Sequence, residues 1–211
     1  LGGEEIAGKT ILIHAEQGMG DTIMVCRYVP MVAALGAKVI VEVQPALMAL
    51  MQSLDGVSQV VAKDRPLPSF DLHCPVMSLP LAFRTRMDTI PASTPYLHAP
   101  EEAVERWRKR LHGDGLKVGL AWAGNPSFQK DVDRSILLKN ILPVCAVEGV
   151  SFYSIQKDLR DGDRDILAAT PRIVHLGGEI ADFRDTAAIM ASLDLIVSSD
   201  TSIVHVAGAL G

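Results

Sequence analysis

The sequence predicts an α/β protein made of two similar parallel-sheet lobes facing a cleft. Three observations carry that expectation. Short apolar runs alternate with helix-periodic stretches, the alternation breaks once at a proline-punctuated segment, and it then begins again. A chain of 211 residues also has room for one to two domains of ordinary size.

Thr10 to Ala15 is a continuous apolar run, followed by Gly18 and Gly20 and then by a periodic stretch from Thr22 to Leu35 that stops at Gly36. That order reads as strand, glycine turn, helix. Lys38 to Val43 predicts a second strand, Pro45 to Ser53 a helix, Val57 to Ala62 a third strand and Phe70 to Cys74 a fourth. Pro91, Pro95 and Pro100 then punctuate a stretch without periodicity, ahead of a helix from Glu101 to Leu111 and a break at Gly113 and Gly115. The pattern restarts with a strand over Val118 to Trp122, a long loop from Asn125 to Ser135 and a helix from Ile136 to about Val147. Ser151 to Gln156, Ile173 to Leu176 and Leu195 to Ser198 supply three more strands, with a helix over Thr186 to Leu193 and another from Ile203 to Leu210. The expected division is therefore 1–98 as the first lobe, 99–116 as a linker helix and 117–211 as the second lobe. In such sheets ligands bind beyond the carboxyl ends of the strands. Gly18 to Asp21, Ala123 to Arg134, Gln156 to Asp158, Gly177 to Asp182 and Ser199 to His205 all fall there.

Composition removes several function classes. Hydrophobic residues make up 48% and charged residues 21%, which excludes a disordered chain. A net charge of −5 argues against a nucleic-acid-binding protein, whose phosphate contacts need a basic stripe. Arg106 to Arg110 is the one dense basic stretch and, read with Glu101, Glu102 and Glu105, it predicts a solvated helix face of mixed charge. Cys26, Cys74 and Cys145 are odd in number and widely spaced, so neither a disulfide framework nor a zinc site is indicated and a reducing cytoplasm fits. Every long apolar stretch is broken by a charge or a proline, so no transmembrane segment and no signal peptide is expected. The chain opens Leu-Gly-Gly and stops at Gly211 within an apolar run, which reads as a piece of something longer.

Three motif matches fail on context. Gly3-x-x-x-x-Gly8-Lys9-Thr10 fits the phosphate-loop pattern but precedes the first strand and opens no helix, so helix amides cannot face a phosphate. Gly18-Met19-Gly20 does follow a strand, and Glu42 ends the second strand where a dinucleotide fold places its ribose-binding acid. The third glycine would fall at Ile23, whose bulk separates helix from strand; a nicotinamide-dependent oxidoreductase survives as a minority alternative. Asp161-x-Asp163-x-Asp165 has the carboxylate spacing of a calcium loop, yet Ile166 stands at the turn glycine and Arg172 at the closing acid, leaving a solvated acidic loop.

Ser198-Ser199-Asp200-Thr201-Ser202 leaves a strand and opens a helix, so its amides and hydroxyls suit an anion, with His205 four residues after Thr201 on the same face. Asp200 would repel phosphate and is expected to cap that helix. Asp21 follows two glycines at a helix start and could accept a proton from an attacking hydroxyl, or merely cap its helix. Arg134 and, second, Lys130 could reach a diphosphate, Arg134 with forked donors, though loop cations are usually only solvated. Gln156 could pair with a base or ribose edge or close a turn. Met31, Met48, Met51 and Met190 read as core filler.

Four phrases combine at this point: His14-Ala-Glu-Gln-Gly-Met-Gly-Asp21-Thr22, Gly119-Leu-Ala-Trp-Ala-Gly-Asn125-Pro126, Phe152-Tyr-Ser-Ile-Gln156-Lys157, and the long phrase from Asp185 through Asp200-Thr-Ser-Ile-Val-His205 to Gly208. Together they resemble the glycosyltransferase domain that stands behind tetratricopeptide repeats in bacterial proteins. That domain is similar to the ADP-heptose:lipopolysaccharide heptosyltransferases of glycosyltransferase family nine. The resemblance implies a GT-B fold of two Rossmann-like lobes, the first binding acceptor and the second, incomplete here at its C-terminus, binding nucleotide-sugar donor. It implies inverting transfer with Asp21 as general base and a diphosphate grip from Asp200, Thr201, Ser202 and His205; Gly18, Gly20, Asn125, Arg134 and Gln156 complete the expected donor site. Arg134 stands where heptosyltransferases have a lysine. No metal and no cofactor is implied, the nucleotide-diphosphate sugar being a substrate and the acceptor a glycan, a lipid-linked sugar or a protein. The alternative of another class is a nucleotide-sugar-binding scaffold domain that has lost catalysis.

Overall fold

The computed structural model describes residues 3–113 and 115–211. The chain divides into two compact units, one reaching to His98 and taking in Gly208–Gly211, the other running Ala99–Ala207.

The first unit is a four-stranded parallel sheet of β1 (Thr10–His14), β2 (Lys38–Val43), β3 (Val57–Ala62) and β4 (Leu72–Pro75), in the order β3-β2-β1-β4. All of its ladders are parallel, with Leu12 opposite Ile40 and His73. Ile11, Leu12 and Ile13 are all buried. An unbroken apolar run is what a strand covered on both faces requires, which is why the pattern was readable. The connecting helices are short: α1 (Met19–Val25), α2 (Val29–Ala34), α3 (Met48–Met51) and α4 (Leu79–Ala82). The single helix expected over Thr22 to Leu35 is thus two helices joined by a 3-10 turn at Cys26–Tyr28. Pro30 lies in the first turn of α2, where its missing N–H is tolerated but cannot extend the ladder of α1. A 3-10 turn likewise replaces the first part of the helix expected from Pro45, and the fourth strand lies two residues later than expected at its start.

The second unit repeats the plan. After α5 (Glu101–Arg108) come β5 (Leu116–Ala121), α6 (Asp131–Arg134), α7 (Leu138–Ile141), β6 (Val150–Ser154), α8 (Asp163–Ala169), β7 (Ile173–His175), α9 (Phe183–Met190), β8 (Leu195–Ser198) and α10 (Ser202–Leu210), whose residues from Gly208 on are counted with the first unit. The strand order β7-β6-β5-β8 is parallel throughout and matches the first sheet position for position. Val118, Leu120, Trp122, Leu138, Phe152 and Ile173 form its core. The helix expected from Ile136 to Val147 is cut to one turn, because Pro143 follows it and the chain continues as a 3-10 turn.

Three expectations about charged segments are corrected. Asp161 to Asp165 is not simply a solvated loop: Asp163 starts α8, is buried, and accepts the Trp122 indole N–H at 2.9 Å. The loop expected over Asn125 to Ser135 contains α6 and a buried Asp131. The basic stretch on α5 is not only solvated either. Asp185 of α9 accepts from Arg106 at 2.5 Å and from the Trp107 indole at 3.0 Å, while Arg110 pairs with Glu179. Burial alone would raise the Asp185 pKa; hydrogen bonds from Trp107 and the Ala181 N–H, with the charge of Arg106, outweigh it and hold the carboxyl below its usual range. These partners fasten α5 within the second unit.

Candidate functional site

In the first unit, β1 ends at His14 and the chain turns through Gly18 into α1. Asp21 is the third residue of that helix, and its Oδ2 accepts the Gly18 N–H at 3.0 Å. A Cβ on Gly18 would sit 3.1 Å from that oxygen, so the turn is tight because residue 18 has no side chain. Thr22 Oγ1 donates to Gly18 O at 3.2 Å, and Gln44 Nε2, from beyond β2, donates to Gln17 O at 2.9 Å. Gly18, Gly20 and Asp21 therefore occupy one fastened turn, with Asp21 half-buried at its surface. Ile23, at the place of a dinucleotide fingerprint's third glycine, is fully buried.

In the second unit, β5 pairs with β6 through Leu120 and Ser154 and with β8 through Ala121 and Ser198, so the carboxyl ends of three strands lie side by side. Asn125 and Arg134 follow β5, Gln156 follows β6, and Asp200, Thr201, Ser202 and His205 follow β8. Gln156 is buried and used inward: its Oε1 accepts from the N–H groups of Trp122 at 2.9 Å and Ala123 at 3.0 Å, and its Nε2 donates to Ala123 O and Asp158 O. Asn125 is exposed, with its Oδ1 accepting the Ser127 N–H. Arg134 leans its Nε toward Asp131 at 3.4 Å and lays its guanidinium over the Phe128 ring, 4.6 Å from the centroid. Lys130 is exposed.

At the start of α10, Asp200 is exposed and the cap position belongs to Thr201. Thr201 is buried and its Oγ1 accepts the Ile203 N–H at 3.4 Å, a weak cap that replaces the expected Asp200. Ser202 and His205 are half-buried on the first turn. Ser199 is buried, and its Oγ has no hydrogen-bond partner among the described residues.

No family model matches the chain. A solved glycosyl transferase family 9 protein from Veillonella parvula is similar with a TM-score of 0.66 at 13% identity, over 99% of this chain and 80% of that one. E. coli ADP-heptose lps heptosyltransferase II gives 0.66 at 14% identity, over 95% and 82%. The chain has the fold of the family 9 heptosyltransferases. E. coli heptosyltransferase WaaC, solved with ADP-2-deoxy-2-fluoro heptose, is similar at a TM-score of 0.57 and 13% identity, over 95% of this chain and 86% of that one. In sequence, Protein FlbA of Caulobacter vibrioides is 27% identical over 99% of this chain, and the chain spans 39% of its length. No helix among the described residues is long and apolar enough to cross a membrane. Nor does any group of three or more His, Cys, Asp or Glu among them fit a metal ion.

On this heptosyltransferase fold several polar residues near the strand ends have partners that no local pattern points to. His14, the last residue of β1, and His73, the second of β4, bring ring nitrogens to 3.4 Å, and Glu16 accepts the Met77 N–H at 3.2 Å. Arg160 reaches the turn after β5, donating through Nη2 to Gly124 O at 3.2 Å and to Asp131. The partners of Arg160 lie 25 to 36 residues away, beyond any local motif. The sequence there reads only Asp131-Val132-Asp133, and that Asp131 is buried while Val132 is exposed is decided by the distant partners, not by the local pattern.

Proposed function

We propose that the chain is a glycosyltransferase domain that moves a sugar from a nucleotide-diphosphate donor to an acceptor hydroxyl with inversion. The observation that supports the reading most is the pair of parallel sheets in a fold similar to that of a solved heptosyltransferase, with the Gly-Met-Gly-Asp21 turn after β1 and the Asp-Thr-Ser-x-x-His205 phrase after β8. In this reading Asp21 takes the proton of the acceptor hydroxyl as its oxygen attacks the anomeric carbon. The bond from that carbon to the diphosphate oxygen breaks, and the electron pair leaves with the diphosphate. Arg134, His205 and the amides and hydroxyls of Thr201 and Ser202 meet the charge that develops there. Gly18, Gly20 and Asn125 shape the approach, and Gln156 acts by holding the backbone of Trp122 and Ala123. The acceptor class is a glycan, a lipid-linked sugar or a protein, and the setting is the cytoplasm of a bacterium, with tetratricopeptide repeats in the parent protein.

One observation favours a second reading, a nucleotide-sugar-binding scaffold without catalysis. Asp21 already serves its own helix by accepting the Gly18 N–H. Asp21→Asn keeps a hydrogen-bond acceptor for that N–H while removing the base. Radiolabelled sugar transfer by the whole protein is expected to fall about 10²- to 10⁴-fold with donor affinity retained. Unchanged transfer overturns the general-base role. Donor binding by the wild type without transfer favours the scaffold. Saturable NADH binding by fluorescence titration would favour the oxidoreductase instead.

A further inference from the structure

The turn after β5 holds a charge arrangement that the four sequence phrases do not include. Asp131 is 2% exposed, whereas its neighbour Val132 is 82% exposed. An acid inside and an aliphatic side chain outside is a local conflict, and such conflicts concentrate where a site rather than a core is being built. Three groups explain the buried acid. Asp131 Oδ2 accepts from Ser135 Oγ at 2.9 Å and from Arg160 Nη2, and Oδ1 faces Arg134 Nε at 3.4 Å. Burial would raise this carboxyl's pKa, but the hydrogen bonds from Arg160 and Ser135 and the charge of Arg160, with Arg134, hold it below its usual range. One carboxylate thus sits against two guanidiniums, and the trio carries a charge of +1.

Each arginine is held by only part of its fork. Arg134 turns Nε to Asp131 and rests on Phe128, and its Nη groups make no hydrogen bond among the described residues. Arg160 spends Nη2 on Asp131, Gly124 O and Ser135 Oγ, while its Nε is buried without a partner among the described residues. Both side chains stay about one-third exposed. Gly124 is what lets the first of them lie so close: a Cβ there would come within 2.7 Å of Arg134 Nη2. Two forked donors anchored on one buried acid, beside the strand ends of the second unit, match two adjacent phosphates better than one.

We propose that Arg160 is a second phosphate-gripping residue beside Arg134, and that Asp131 is the positioning residue that holds the two guanidiniums together for a nucleoside diphosphate. This rests on the donor-binding reading above. The test is isothermal titration of the whole protein with ADP, UDP, GDP and CDP and with the corresponding monophosphates. The wild type is expected to favour a diphosphate over its monophosphate. Arg160→Lys keeps the charge but loses the fork, and is expected to weaken the diphosphate at least tenfold while leaving the monophosphate within about twofold. Asp131→Asn is expected to lower the same ratio. Asp185→Asn, which disturbs a buried acid on α9, is expected to lower stability without moving the ratio. If Asp131→Asn does not fold, Arg160→Lys and Arg134→Lys carry the test. An unchanged ratio in Arg160→Lys, or an equal loss for both phosphates, overturns this inference and leaves the glycosyltransferase reading standing. A wild type that binds none of the nucleotides overturns both.

Discussion

Replacing Gln156 by alanine asks whether that side chain touches the donor or supports the loop that does. Its amide makes four hydrogen bonds at 2.9 to 3.0 Å, two of them accepting the buried N–H groups of Trp122 and Ala123. Truncation leaves those two donors without an acceptor, at about 1–2 kcal/mol each, and removes two bonds to carbonyls worth well under that. The sum is roughly 3–4 kcal/mol, or a midpoint lower by about 10 °C in a chain of this size. Trp107 and Trp122 are the protein's only tryptophans, and both lie in the second unit. Urea titration followed by their fluorescence therefore reports on the unit that Gln156 supports. Gln156→Glu keeps the two acceptors but sets an oxygen against Ala123 O and Asp158 O, so it is expected to destabilise as well. A cost below about 1 kcal/mol together with a large loss of nucleotide affinity would refute the reasoning and return Gln156 to direct contact with the donor.

Asp185→Asn is expected to destabilise at pH 5 to 7. The native pKa of Asp185 lies below its unfolded value of about 3.9, so its contribution is present above that value and lost as pH falls through the lower native one. Denaturation at a series of pH values should show the gap to wild type closing below about pH 4. His175 has its pKa lowered by burial and by Arg164, against Glu179, so the native state favours the neutral ring, and wild-type stability should decline as pH falls through about 6.5. His175→Asn should flatten that decline, and equal slopes would refute it. Gly177→Ala should cost at least about 1–3 kcal/mol by thermal denaturation, because a Cβ there would overlap the backbone carbonyl oxygen of Gln156 and lie 2.6 Å from its carbon.

The strands were legible because a sheet covered on both faces writes itself as an unbroken apolar run, as Ile11, Leu12 and Ile13 do. The glycine turn at Gly18 and the start of α10 were legible for the same local reason. Helix lengths were not, since apolar periodicity continued straight through Pro30 and Pro143 while hydrogen bonding could not. What escaped the sequence most completely was the partnership of polar groups distant along the chain. Trp122 gives its indole N–H to Asp163, 41 residues on, and Trp107 gives its own to Asp185, 78 residues on. A buried indole needs an acceptor, so two tryptophans in apolar surroundings already demanded two inward-facing acceptors, but no spacing rule could say which residues they were. The same limit governs the candidate site. The ends of β5, β6 and β8 could be located from pattern, whereas the charge offered there could not, because Arg134 shares the buried carboxylate of Asp131 with Arg160 from beyond β6. An arginine in a loop reads as solvated until its counter-charge is placed. Once Asp131 is placed, it and the two guanidiniums fastened to it carry a charge of +1 together, which an acidic chain of net charge −5 did not advertise.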